Sequence, residues 1–144
     1  MIRTAKTEDA AALQKLYVFL QPEDPVSTAE EFEATLAEIL TTGKNMLFVY
    51  EIDDEIVSTC YLNILPNLTR NLRPYAVIEN VVTNPDHRGK GYATALLREA
   101  MDTARDQGCY KVMLLTGSKR ESTLRFYEKA GLKIGEKTAF HTRL

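Results

Sequence analysis

The chain has 144 residues, with 18 Lys and Arg against 20 Asp and Glu and a formal charge of -2, a size suited to one domain with its own core. At 44% hydrophobic and 26% charged residues, it has the composition of an ordinary globular protein, not a disordered one. Its near-neutral balance argues against broad electrostatic binding to nucleic acid or anionic membrane, and no apolar run reaches the roughly 20 residues that span a bilayer.

Ile2 to Ala5 reads as a short first strand. The start of the chain has no apolar signal-peptide core, so a cytoplasmic protein is expected. Thr7, followed by Glu8 and Asp9, predicts a helix start. Leu13, Leu16, Tyr17 and Leu20 continue that helix at helical spacing until Pro22. Ser27 with Glu30 forms a capping box for a second helix, whose stripe runs through Phe32, Leu36, Ile39 and Leu40 to Gly43. Met46 to Ile52 and Ile56 to Leu65 flank Asp53-Asp54 as a hairpin. A polar loop from Pro66 to Pro74 then leads into a strand from Tyr75 to Thr83.

Asn84-Pro85-Asp86 marks a turn. Gly89 to Asp106 is helical by pattern, with Ala93, Leu96, Leu97, Ala100, Met101 and Ala104 on one face. Tyr110 to Leu115 predicts a strand, Ser122 to Ala130 a helix ended by Gly131, and two short strands finish the chain. The resulting order, β-α-α-β-β-β-α-β-α-β-β, is a mixed α/β fold. No repeat or linker divides residues 1–144, so a single domain is expected. Cys60 and Cys109 lie far apart without a CxxC spacing, and His87 and His141 are the only histidines. Two buried thiols and no metal site follow from that pattern.

The chemistry concentrates where the strand Val81-Val82-Thr83 runs through a Gly-rich turn into the long helix. The first amides of a helix lack internal acceptors, and its dipole attracts anions there. Gly89 and Gly91 let a phosphate approach the backbone, and Arg88 and Lys90 add charge. The spacing matches neither a P-loop, which needs four residues between its glycines, nor a dinucleotide fingerprint, whose third glycine position is Thr94 here. Glu79 interrupts the apolar strand Ala76 to Val82. Burial in such a strand raises a carboxylate's pKa toward that of a useful base; pairing with a Lys or Arg on a half-exposed face is the alternative. Asn80 is expected on the opposite face by alternation.

Arg88-Gly89-Lys90-Gly91-Tyr92-Ala93 after an apolar strand resembles the acetyl-CoA pyrophosphate loop of the GNAT superfamily of N-acetyltransferases. Leu124-Arg125-Phe126-Tyr127-Glu128-Lys129-Ala130-Gly131-Leu132 is similar to that superfamily's second signature, and the element order agrees from end to end. The resemblance implies a mostly antiparallel central sheet flanked by helices. It further implies that acetyl-CoA is the acetyl donor, without a metal, and that an amine is the acceptor.

In that reading Arg88 to Ala93 hold the diphosphate, and Val81, Val82 and Thr83 pair with the pantetheine arm. Tyr127 protonates the departing thiolate, a transfer made reasonable by pKa values of about 8.5 and about 10. Glu79 is the general base or a substrate anchor, unless the amine loses its proton to water. Arg120 stands where the family often has Asn, and Ser118 or Ser122 supplies the polar contact. Lys119, Arg120 and Arg125 form a basic group that reaches the 3'-phosphate or stays solvated. Arg70 and Arg73, in a loop where acceptors often bind in this superfamily, are candidates to hold an anionic acceptor beside Asn80.

Ile78 to Val82 followed by Arg-Gly-Lys-Gly is similar to the glucosamine-phosphate branch, but Asn80 and Thr116 stand where that branch has Asp. The expected function is transfer of acetyl to a small primary amine by direct attack. The alternatives are a peptide or protein N-acetyltransferase and a non-catalytic acyl-CoA sensor. Neither nucleic acid nor membrane is an expected partner; a homodimer is compatible with the family.

Overall fold

The burial of successive residues shows how the sheet is placed. In β2 (Asn45–Ile52), Leu47 and Val49 enter one core while Phe48 enters the other, as the two-residue period of a strand requires. The computed structural model describes all 144 residues. The remaining elements are β1 (Ile2–Thr4), α1 (Ala10–Leu20), α2 (Ala29–Thr41), β3 (Glu55–Leu65), β4 (Tyr75–Thr83), α3 (Tyr92–Asp106), β5 (Val112–Met113) and α4 (Glu121–Ala130). The sheet order is β1-β2-β3-β4-β5. Every pair is antiparallel except β4 with β5. This is the mixed, mostly antiparallel sheet flanked by helices that the sequence implied.

Each face of the sheet carries its own core. Leu13 and Leu16 of α1 and Leu36 of α2 pack with Leu47, Val49, Ile56 and Val82 on one side. Leu96, Leu97, Ala100 and Ala104 of α3 pack with Cys60, Leu62, Ile64, Ala76 and Ile78 on the other. Burying each Leu or Ile side chain contributes about 1.5–3 kcal/mol, and the alanines let α3 lie close against the sheet. Both cysteines are free and buried. No helix is long and apolar enough to cross a membrane.

Several local expectations are corrected. Thr7 does not cap α1; Thr7–Asp9 form a 3-10 turn in which the Lys6 amide donates to Asp9 Oδ2 at 2.7 Å. Arg3 holds Asp9 at 2.7 Å and Glu51 at 2.5 Å, tying β1 to that turn. The cap of α2 is Thr28 with Glu31, one residue beyond the expected pair. The Ser27 carbonyl instead accepts Gln14 Nε2 at 2.8 Å, which fastens the α1–α2 loop to α1. Helix α3 starts at Tyr92, because Gly89 and Gly91 have φ of +76° and +86°.

The C-terminal part departs most. β5 spans two residues instead of Tyr110 to Leu115, and the two closing strands do not form. Alternating apolar residues make a strand only when a neighbouring edge pairs with it, and β4 leaves β5 after Val77↔Met113. A groove of about 870 Å³ separates β5 and α4 from the terminal segment, with Met101, Val112, Leu114, Tyr127 and Ile134 on its walls.

Candidate active site

The site is built by a flaw in the ladder between β3 and β4. Tyr61 pairs with Glu79 and Thr59 with Val82, so Cys60 faces two residues, Asn80 and Val81. This is a β-bulge. Asn80 takes φ +52°, a left-handed conformation that Asn tolerates better than most residues. Alternation therefore fails at this point, and Glu79 and Asn80 are both exposed instead of lying on opposite faces. The burial expected for Glu79 is absent, and no ion pair joins it to a Lys or Arg.

Beyond the bulge, the Asn84 amide donates to the Val57 carbonyl at 2.8 Å. Val82 and Asn84 thus turn their backbone groups to β3, and by alternation Val81 and Thr83 turn theirs to the opposite edge. β5 no longer covers that edge after Val77. A splayed gap results, into which the backbone groups of Val81 and the Thr83 amide point without a partner strand. Thr83 is fixed from both ends: its Oγ1 lies 2.8 Å from Ser58 Oγ, and its carbonyl accepts Arg88 Nε at 3.3 Å. The Arg88 side chain is therefore a brace for the strand end.

The backbone amides of Gly89 to Thr94 find no acceptor within the chain. Six consecutive donors at the N-terminus of a 15-residue helix form an anion-binding end that suits a diphosphate. An added Cβ at Gly89 or Gly91 would meet no atom within 4 Å. Glycine is needed there for the positive φ rather than for space. Tyr92 turns its ring onto Tyr50 at 4.5 Å between centroids, so it offers the site its amide alone; Ala93 follows in the same turn, and Lys90 is exposed. His87, given no role from sequence, is half-buried with Nε2 3.9 Å from Glu55 and its ring 6.4 Å from that of Tyr92. It props the turn against β3, a contact that no local pattern signals.

Tyr127 lies on the α3 face of the sheet beside Phe126 at 4.8 Å between rings. Burial raises its phenol pKa, and the nearby Cys60 thiol adds to the rise. Cys60 itself is pushed up to about 12 by burial, so it stays a neutral thiol. Because Cys60 is the residue opposite the bulge, Tyr127 and the bulge converge on one point of the sheet. Ser118 lies two residues ahead of the α4 N-cap, Arg120: its Oγ lies 3.0 Å from Thr123 Oγ1 and accepts the Arg120 amide at 3.4 Å. Arg120 is exposed, and Arg125 pairs with Glu121.

On the α1 face, a cavity of about 250 Å³ opens between α1, the α1–α2 loop and Asn80. Tyr17, Leu20 and Phe32 give it apolar walls, and Asp24 is its charged lining residue. Burial raises the Tyr17 phenol to about 12. Arg73 is not at this cavity; its guanidinium donates to the Gly108 and Cys109 carbonyls, both at 3.1 Å. Arg70 packs over the Tyr110 ring at 5.8 Å. Both arginines brace the opposite end of β4 against the start of β5.

Residues 13–132 match the family model described as "Acetyltransferase (GNAT) family". The chain is 37% identical over 91 residues to glucosamine 6-phosphate N-acetyltransferase of Trypanosoma brucei brucei, a match spanning 63% of this chain and 60% of that protein. In structure it resembles a candidate acetyltransferase from Agrobacterium tumefaciens str. C58, with TM-score 0.95 and 42% identity, covering 100% of this chain and 99% of that one. It also resembles glucosamine-6-phosphate N-acetyltransferase from Arabidopsis thaliana, with TM-score 0.87 and 28% identity over 100% and 97% of the two chains.

Proposed function

The chain belongs to the acetyltransferase (GNAT) family, and from that premise we propose that it transfers an acetyl group from acetyl-CoA to the nitrogen of a small primary amine by direct attack. The observation that carries this reading is the run of acceptor-free amides from Gly89 to Thr94 beside the open edge of β4. Acetyl-CoA, when bound, supplies the acetyl thioester and a thiolate leaving group. The amides of Gly89 to Thr94 hold the diphosphate, and the backbone groups of Val81 and Thr83 pair with the amides of the pantetheine arm. Those contacts place the thioester at the bulge, where β4 and β5 part.

The amine nitrogen bonds to the acetyl carbon as the carbon–sulfur bond breaks. The Tyr127 hydroxyl gives its proton to the sulfur, and Glu79 or solvent takes the proton that the nitrogen loses. Glu79 is exposed, so it exchanges that proton with water directly. Orientation and amide donors supply most of the rate gain. The cavity beside Asn80, at about 250 Å³, lies under the roughly 300–1,000 Å³ usual for drug-sized ligands, which supports a small acceptor over a folded protein.

Calorimetric titration with CoA, followed by thiol release from acetyl-CoA over a panel of small amines, tests the proposal. One-to-one binding and release with at least one amine are expected. Binding without release on any amine makes the chain an acyl-CoA sensor, and no binding removes the reading.

A further inference from the structure

Charge is unevenly divided along this chain. Residues 1–83 carry thirteen acidic and six basic side chains, whereas residues 84–144 carry seven acidic and twelve basic. The second set includes the whole turn and helix end assigned to the diphosphate. The first set builds the cavity beside Asn80. From residue 8 to residue 38, along α1, α2 and their loop, Lys15 is the single cation among eight carboxylates.

The cavity repeats that bias at close range. No Lys, Arg or His lines it, and Asp24 sits in its loop wall. Gln14 fixes the loop through Ser27 at 2.8 Å. Tyr17, Leu20 and Phe32 give the same cavity its apolar lining, and Asn80 lines it from β4. A phosphate in this space would face a carboxylate with no cation to balance it. Arg73 lies seven residues before Asn80, on the order of 20 Å along a strand at about 3.3 Å per residue, and its guanidinium is already engaged.

We infer that the acceptor is an alkyl amine with a second positive charge, a diamine or polyamine, and not an amine that bears phosphate. The inference rests on the acetyltransferase reading. One nitrogen reacts at the bulge, the methylene chain lies along Tyr17, Leu20 and Phe32, and the second ammonium approaches Asp24. Since Asp24 is exposed, its pull is that of a solvent-screened pair.

The test compares 1,4-diaminobutane, butylamine and glucosamine 6-phosphate by thiol release, in the wild-type chain and in Asp24→Asn. The diamine is expected to exceed butylamine about five-fold in kcat/KM, through KM, with glucosamine 6-phosphate the poorest. Asp24→Asn is expected to erase the difference between diamine and monoamine, by raising the KM for the diamine to that for butylamine. Added salt is expected to weaken the wild-type preference in the same way. Faster turnover of glucosamine 6-phosphate than of the diamine, or a preference indifferent to both Asp24→Asn and salt, overturns the inference and leaves the acetyltransferase reading standing. No release with any of the three amines overturns both.

Discussion

Tyr127 was legible from its own neighbourhood in the chain, because the signature from Leu124 to Leu132 is contiguous. Burial keeps its phenol protonated but makes it a weaker acid, so donation rests on its closeness to the sulfur rather than on its acidity. Tyr127→Phe is expected to lower kcat about 100-fold without changing CoA affinity; an unchanged kcat in a steady-state assay removes the role. Tyr17 serves a different argument. Its folded-state pKa of about 12 exceeds its ordinary 10, so its contribution is complete below pH about 10 and lost as pH rises toward about 12. In that window the unfolded chain has released the proton that the folded chain keeps. The unfolding free energy from urea titration is expected to fall by about 1 kcal/mol between pH 8 and pH 11 for this reason, and Tyr17→Phe is expected to remove that component. The exposure of Glu79 was not legible. It depends on Cys60 facing two residues across the ladder, a relation between strands that one strand does not record.

At the scale of elements, the helices and the four longer strands followed from periodicity, and the departures have particular causes. Two overlapping capping boxes precede α2, Ser27 with Glu30 and Thr28 with Glu31, and both satisfy the spacing. The fold chooses the second because the carbonyl of Ser27 is held by Gln14, an acceptor–donor pair thirteen residues apart. Thr28→Ala is expected to cost about 1 kcal/mol, a fall in Tm of roughly 3–5 °C for a chain of this size. Ser27→Ala is expected to lower Tm by less, because the shorter bond from Gln14 Nε2, at 2.8 Å, is to its carbonyl and the one to its Oγ is 3.3 Å; calorimetry distinguishes the two. The expected closing strands failed for a reason of the same kind. No strand forms after α4, and β5 offers an edge of two residues only, Val112 and Met113.

Across the whole molecule, the sheet separates two cores, and the proposed reactants approach from different sides of it. The α3 side carries Tyr127 and the amide-rich helix end; the α1 side carries the cavity and its carboxylate. Topology of this sort was largely readable, since element order and the two signatures agree over most of the chain. The charge division belongs to this scale as well, because it emerges from two halves of sequence meeting at one bulge.

The unladdered edge of β4 has a consequence for isotope exchange. Val81 and Thr83 belong to a strand flanked by well-packed neighbours, yet their N–H groups point away from β3 into the gap. Deuterium is expected to enter these two positions far sooner than at Val82, which pairs with Thr59. Loading with coenzyme A should then slow uptake at both by more than ten-fold while Val82 keeps its rate, a pattern that residue-resolved NMR can read. Slow uptake at Val81 in the unliganded chain would mean that the gap is already closed by the protein itself.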